Sequence, residues 1–255
     1  MREYRPLLAK YGYQYEQVFD NVYRIIDAPA SSFYLVIGSE LSVLIDTGCA
    51  VGDVRKLVEQ LVPGKYIVVN THGHDDHVAG NYQFEEIYIG QEDEPLMLAL
   101  FNDDHHKQIF YQELADYGVA FSDPAYKERF EQAKAGFKIK RLYDGQTFHL
   151  GDTDLRVIHV PGHTEGCYVL LDTLNRRLFC GDVILRHASI LHVGGSNLSA
   201  YVQGLRMLWD MRDQFDITIA AHGHREGFRP LAPIYIQRLI DCAEQIDINK
   251  SVPRI

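Results

Sequence analysis

Six consecutive positions, His72-Gly73-His74-Asp75-Asp76-His77, place three imidazoles and two carboxylates at the end of the apolar run Tyr66-Ile-Val-Val69. Imidazole and carboxylate suit divalent transition metals such as zinc, and packing gives no reason to crowd them, because each loses hydration when buried. In an extended segment residues two apart point the same way, so His72 and His74 can grip one ion. Asp76 and His77 follow past a bend and can turn to a different side to grip a second. Asp75, between the two pairs, reads as a solvent-facing spacer. Three more metal-type residues stand at strand ends: His163 in the turn Pro161-Gly162-His163, Asp182 after Gly181, and His222 after the run Ile217-Thr-Ile-Ala-Ala221. Each alone is more often structural than functional, but their recurrence at the same kind of place makes a constellation. Asp46 also ends an apolar run, Ser42-Val-Leu-Ile45, where it reads equally as a helix-capping turn residue or as part of a site.

Positioning these residues requires short strands that stop together. Val22–Ile26, Phe33–Ile37 and Ser42–Ile45 are short apolar runs separated by turn residues, which argues for adjacent strands. Val54, Leu57, Val58 and Leu61 repeat at helical spacing before Pro63-Gly64, and the strand at 66–69 follows. A strand at Ile87–Ile89 comes next. Strands at 155–160, 168–171, 177–180 and 217–221 complete the ligand-bearing set, with helices at about Ser199–Arg212, capped by Ser199, and Pro230–Ile248. Alternating strands and helices imply an α/β layered fold with active residues at strand ends. The whole chain, 1–255, is expected as a single domain with a helical insertion at about 92–138. The insertion carries Leu96, Met97, Leu100, Phe101, Phe110, Tyr111, Leu114, Tyr117, Phe121, Tyr126 and Phe130. It reads either as a flap supplying an apolar wall to the site or as an outer helical layer packed on a sheet. Within it Asp103-Asp104-His105-His106 reads as a solvated charged face rather than a second metal cluster, and His159, in phase with Leu155 and Val157, as a packed core histidine.

The chain of 255 residues is 46% hydrophobic, ample for a buried core. Its 35 acidic against 25 basic residues, a formal charge of −10, oppose binding to a phosphate backbone, so no nucleic-acid partner is expected. The N-terminal Met1-Arg-Glu-Tyr-Arg-Pro6 has no apolar core of a signal, and no run approaches the roughly 18 apolar residues of a membrane span, so a soluble cytoplasmic protein is expected. Cys49, Cys167, Cys180 and Cys242 form no C-x-x-C pair and are expected as free thiols.

The pattern H-x-H-x-D-H, then a turn histidine, a strand-end aspartate and a strand-end histidine, resembles the metallo-β-lactamase superfamily over about residues 18–228. The resemblance implies a four-layered αβ/βα sandwich with a dinuclear metal site in the groove between the sheet edges. Carried over residue by residue, it implies His72, His74 and His163 as ligands of a first metal, and Asp76, His77 and His222 as ligands of a second. Asp182 is then the bridging carboxylate, and Asp46, in the strand-end Asp-Thr-Gly, orients the metal loop. The family's Pro-Gly-His-Gly is here Ala220-Ala-His-Gly223, and His224 competes with His222 for the last place. The implied cofactors are two divalent ions, Zn2+ first, with Fe or Mn as the other options. The implied nucleophile is a hydroxide bridging them, and Asp76 the acceptor of its proton.

The reaction expected from this resemblance is hydrolysis of an acyl ester, thioester or lactone. The expected partners are a small-molecule acyl substrate and, as an option, a second copy of the chain in a homodimer. In glyoxalase II-like and lactonase-like relatives the segment after the bridging aspartate borders the substrate groove, which makes Arg186 and His192 candidates for binding substrate; loop capping explains both equally well. With 33 residues after His222, the glutathione-binding helices of glyoxalase II, and with them a glutathione thioester as substrate, are not expected. Phosphodiesterase activity fits the same motif. An iron-dependent persulfide dioxygenase is a further alternative, although such relatives hold one iron with two histidines and an aspartate, whereas here all seven ligands are present.

Overall fold

The computed structural model describes residues 8–27, 31–121, 123–185, 196–222 and 227–246. The first sheet starts with β1 (Leu8–Lys10), β2 (Tyr13–Phe19), β3 (Val22–Ile26), β4 (Ser32–Val36) and β5 (Ser42–Ile45), followed by α1 (Val54–Leu61) and β6 (Tyr66–Val69). The short α2 (Asp75–Val78) carries the second half of the metal loop, and β7 (Glu86–Ile89) leads to α3 (Glu94–Asn102), α4 (Asp104–Asp116) and α5 (Pro124–Glu131). Then come β8 (Lys138–Arg141), β9 (Thr147–His149), β10 (Asp154–His159), β11 (Tyr168–Asp172), β12 (Arg177–Gly181), α6 (Leu198–Asp210), β13 (Ile217–Ala220) and α7 (Ile234–Glu244). Strands β1 to β8 form an eight-stranded sheet in chain order, and β13-β12-β11-β10-β9 form a five-stranded one.

Side-chain alternation along these strands decides the layers. Phe33 and Leu35 of β4, Leu44 of β5 and Val68 of β6 join a core with Val54, Leu57 and Val58 of α1 and with Met97, Phe101, Phe110, Leu114 and Phe130 of α3 to α5. The intervening Tyr34, Val36, Val43, Ile45 and Val69 face the other way and meet Leu155, Val157, Leu170 and Phe179 of the second sheet. Val169, Leu171, Leu178 and Cys180, on that sheet's outer face, pack under α6 and α7 with Leu205, Leu208, Ile236 and Leu239. The result is helix, sheet, sheet, helix, the expected four-layered α/β sandwich.

Strands β5, β6, β7 and β8 are parallel, as are β12 and β13. Their C-terminal ends, together with the end of β10, bring the candidate residues to one edge of both sheets. Among the described residues no helix is long and apolar enough to cross a membrane. The cysteines are unpaired, with Cys49, Cys167 and Cys180 buried and Cys242 exposed.

Several expectations are corrected. The insertion is helical, but its apolar residues Met97, Leu100, Phe101, Phe110, Leu114 and Phe130 are spent in the core beneath the first sheet, so it is an outer layer and not a free apolar wall. Helix α6 begins one residue before Ser199 and is capped by Asn197, whose side chain accepts the Ala200 amide at 3.0 Å. The last helix starts at Ile234, not Pro230, because Leu231 is held extended by paired backbone bonds with Thr218 of 2.8 and 2.9 Å. His159 is half-buried at the end of β10 rather than packed in the core; its Nε2 donates to the Glu165 carbonyl at 2.9 Å. Strands β1, β2, β8 and β9 are additions to the expected set.

Candidate metal centre

The metal loop is anchored from the strand beside it. Asp46 directly follows β5 with φ +65°, and Gly48 at +71° and Ala50 at +61° come after it, a turn with three residues in the left-handed region. A Cβ on Gly48 would lie 2.4 Å from Asp27 Oδ2, so only glycine lets the turn close over that buried carboxyl. Asp27 accepts the Cys49 amide, and burial raises its carboxyl to about 6. Asp46 does not cap the following helix; Asp53 does, accepting the Lys56 amide at 3.0 Å. The Asp46 carboxyl instead accepts from Thr71 N at 2.7 Å, Thr71 Oγ1 at 2.8 Å and His77 Nδ1 at 2.9 Å.

These contacts assign tautomers. Because Thr71 Oγ1 donates to Asp46, it accepts from His72 Nδ1 at 3.1 Å, which leaves His72 Nε2 as a lone pair. His77, donating from Nδ1, likewise presents Nε2. Asp46 thus turns two imidazoles toward the same space, the arrangement by which outer partners orient metal ligands.

Two adjoining groups of donor atoms result. His72 Nε2 and His163 Nε2 stand 2.9 and 3.0 Å from His74 Nδ1. Across from them, His222 Nε2 lies 3.2 Å from Asp76 Oδ2, and His77 Nε2 lies 3.7 Å from the same oxygen. Asp182 faces both groups: its oxygens are 3.7 Å from His163 Nε2, 3.5 Å from His77 Nε2 and 3.5 Å from His222 Nε2. The donor atoms of His72, His74 and His163, of His72, His77 and Asp182, and of Asp76, His77 and His222 each lie within 4.8 Å of one another.

The chemistry of the donor set fits metal ions. His77 Nε2 and Asp182 Oδ1 are buried without a hydrogen-bond partner, as are His74 Nε2 and His163 Nδ1; a buried polar atom left this way costs about 1–3 kcal/mol. Burial, reinforced by the neighbouring histidines, holds His72 well below the usual imidazole range. Burial and His163 hold His74 down at about 4, and burial also lowers His163. Three neutral nitrogens therefore face one another. In the second group burial opposes charge but the partners overcome it: Asp76, Asp182 and Asp46 raise His77, while Asp182 and Asp76 raise His222 to about 9. Against the same burial, His77 and His222 hold Asp76 well below the usual carboxylate range, and His222 and His77 do so for Asp182.

The fold explains how distant segments reach this place. Ala221 N donates to the Gly181 carbonyl at 3.0 Å and Ser32 N to the Ala221 carbonyl at 2.8 Å, so His222 is carried on a strand end stitched to both sheets. Gly181, at φ +50°, lies against Thr71, where a Cβ would stand 2.5 Å from Oγ1; this close approach puts Asp182 beside the metal loop. His163 sits in a turn closed by the bond from Gly162 N to the Thr164 carbonyl at 2.8 Å.

All seven expected ligands and Asp46 are thus brought together. Arg186, His192 and His224 lie outside the described residues. Two features of the site are not visible in the sequence. Asp93, buried in the turn after β7, accepts from Gly73 N at 2.8 Å, Thr164 Oγ1 at 2.6 Å and Gly166 N at 2.8 Å, and so ties the His72–His74 loop to the His163 turn. Asp75 is not a solvent-facing spacer: its Oδ2 accepts from His106 Nε2 at 2.7 Å, and burial, against the pull of His106, raises its carboxyl to about 6. His106 accordingly is not part of a wholly solvated face, although Asp103, Asp104 and His105 are exposed.

The sequence profile of the family described as "Metallo-beta-lactamase superfamily" matches residues 26–243. Among known proteins the chain is similar to the acyl-coenzyme A thioesterase MBLAC2 of Homo sapiens, 29% identical over 211 residues, which are 78% of this chain and 74% of that protein. It is also similar to the atrochrysone carboxyl ACP thioesterase of Aspergillus fumigatus, 27% identical over 201 residues, 74% of this chain and 38% of that protein. Among solved structures, a metallo-beta-lactamase family protein from Thermus thermophilus superposes with a TM-score of 0.64 at 17% identity, covering 89% of this chain and 81% of that one, a likeness of fold.

Proposed function

The chain belongs to the metallo-β-lactamase superfamily and is a hydrolase of it, and from that premise we propose that it hydrolyses acyl thioesters at a centre of two divalent metal ions. The observation that carries the proposal is the convergence of seven donor side chains from four strand ends, with partnerless histidine and carboxylate atoms among them. His72, His74 and His163 would hold one ion, Asp76, His77 and His222 the other, and Asp182 both. Imidazole and carboxylate donors suit zinc, with iron or manganese as alternatives. When bound, such ions supply Lewis acidity and lower the pKa of a water until it is a nucleophile near neutral pH.

The chain's own residues set the direction of the reaction. His72 and His163 are closed off from solvent, whereas the side chains of Asp76 and His222 are 35% and 26% exposed, so an acyl group enters from the Asp76–His222 side. Asp76, part-exposed beside His222 at the open side of the site, is the place where a proton is taken up and passed to solvent. As ligands of the ions Asp76 and Asp182 would stay ionised, so neither is a good proton donor to a leaving group. A thiol, with a pKa of about 8.5, departs as its anion without such help, whereas an alkoxide is far more basic. This preference, together with relatives that are acyl-coenzyme A and acyl-carrier-protein thioesterases, favours a thioester over an alkyl ester or lactone.

Zinc-loaded protein offered an acyl-coenzyme A, the matched oxygen ester, a lactone, a β-lactam and a phosphodiester decides the class. The expected outcome is a kcat/KM for the thioester at least about tenfold above the oxygen ester, a transition-state difference of about 1.4 kcal/mol. A lactone or phosphodiester as the best substrate overturns the proposal.

A further inference from the structure

We propose that His106, on the helical insertion, is a positioning residue for the metal loop: by holding Asp75 it fixes the turn that carries Asp76 and His77 and keeps the Asp75 carboxyl out of the metal site. The inference rests on the reading of these residues as metal ligands.

The contact joins segments 31 residues apart, His106 Nε2 donating to Asp75 Oδ2 at 2.7 Å, with side chains 32% and 18% exposed. Both ends need the tie. Asp75 opens α2, a helix of four residues held by bonds from His77 N and Val78 N to the His74 carbonyl at 2.9 and 3.2 Å. So short a helix has no stability of its own. The carboxyl of Asp75 stands between ligands His74 and Asp76, and its Oδ1 is buried without a partner. Released from His106, it is a second carboxylate within the loop, free to turn toward the cations and repelled by Asp76 beside it.

On the other side His106 is aimed by a fixed scaffold. Asp103 caps α4 by accepting the amides of His105 and His106 at 2.8 and 3.3 Å. The next residue, Lys107, is buried, with Nζ donating to the carbonyls of Glu131 at 3.3 Å and Ala133 at 2.9 Å, and Phe110 a turn later is in the core. The first turn of α4 therefore cannot drift, and the bond transmits its position to the loop. The insertion, which offers no free apolar wall, acquires through His106 a direct hold on the metal loop.

Zinc titration of metal-free protein against a chromophoric chelator, with kcat and KM on the same samples, tests this. His106→Ala and the ring-preserving His106→Phe are each expected to weaken zinc binding about 10-fold, the low end of the effect of an outer partner of a ligand, since Asp75 adjoins the ligands without being one. Both should lower kcat while leaving KM within about twofold. His106→Gln, whose amide nitrogen stands near the place of Nε2, restores most of the affinity. Adding Asp75→Ala to His106→Phe recovers part of the loss, so the two substitutions are not additive. A His106→Phe protein with wild-type zinc affinity and kcat overturns the proposal, as does a His106→Gln protein as impaired as His106→Phe. A wild-type chain that takes up no zinc overturns the metal reading itself, and the proposal with it.

Discussion

His72, His74 and His163 share a corner in which burial drives imidazoles neutral. A few ångströms away His77 and His222 are drawn toward the charged form by Asp76 and Asp182, whose own carboxyls are held down in return. The two corners use the same loop and bury polar groups in opposite ways. The first crowds three neutral imidazoles at 2.9 and 3.0 Å and leaves His74 Nε2 and His163 Nδ1 buried without a partner. The second draws protons onto His77 and His222 beside the carboxylates, and a cation must displace those protons to enter. Exposure differs in the same sense, since the first corner is the floor and Asp76 and His222 are the mouth. Proposed binding of two ions is therefore expected to be unequal: the floor, with His74 held at about 4, fills without competition from protons until the pH falls toward that value, while the mouth fills with release of protons and depends more steeply on pH near neutrality.

Asp182 is common to both corners, so its removal is the harshest way to break the comparison. Asp182→Ala is expected to lose bound zinc from both and to reduce turnover by about 10³-fold or more, since metal polarisation contributes several kcal/mol. Elemental analysis and kcat read the two effects. A fully metallated, active Asp182→Ala protein would remove its bridging role.

Changing one corner at a time sharpens the contrast. His222→Ala should retain about one zinc per chain at pH 7, because the neutral floor is untouched, whereas His74→Ala should retain less, because the remaining mouth competes with protons. Equal zinc contents in the two variants contradict the inequality of the corners.

The smallest effect is on the stability of metal-free protein. His222, raised to about 9 in the fold, contributes stability that is present below about pH 6.5, its unfolded value, and is lost as pH rises through about 9. His74, lowered to about 4, contributes stability that is present above about pH 6.5 and lost as pH falls toward 4. Thermal melts of chelator-treated protein should show Tm falling on both sides. His222→Gln should flatten the alkaline limb and His74→Gln the acid limb; a Tm independent of pH across this window contradicts both assignments.

The ligand chemistry was legible because it is local: three histidines and two aspartates in six positions, and lone metal-type residues where apolar runs stop. The layered class was legible from short apolar strands alternating with helical runs, whereas Phe33 and Leu35 against Tyr34 and Val36 are apolar alike, so the fold alone shows that the two faces of β4 go to different cores. What escaped is set by non-local pairing. Lys138–Arg141 is a polar, largely exposed segment that is a strand because it adds to the edge at β7. Asp93 is the middle of three consecutive acids, Glu92-Asp93-Glu94, and only the approach of Gly73, Thr164 and Gly166 makes it the hub of two ligand loops. The link between Asp75 and His106 crosses from one layer feature to another, so periodicity on either segment could not reveal it. Leu231 delays the last helix for the same reason, through its pairing with Thr218.

The central claim, a metal-dependent thioester hydrolase, is tested most directly by following thiol release from an acyl-coenzyme A while zinc is returned to chelator-treated protein. The account predicts no release above background from the metal-free chain and a rate that rises with added zinc and saturates at about two ions per chain, the stoichiometry of a two-metal site. Undiminished thiol release from metal-free protein, or none at any zinc content, contradicts it.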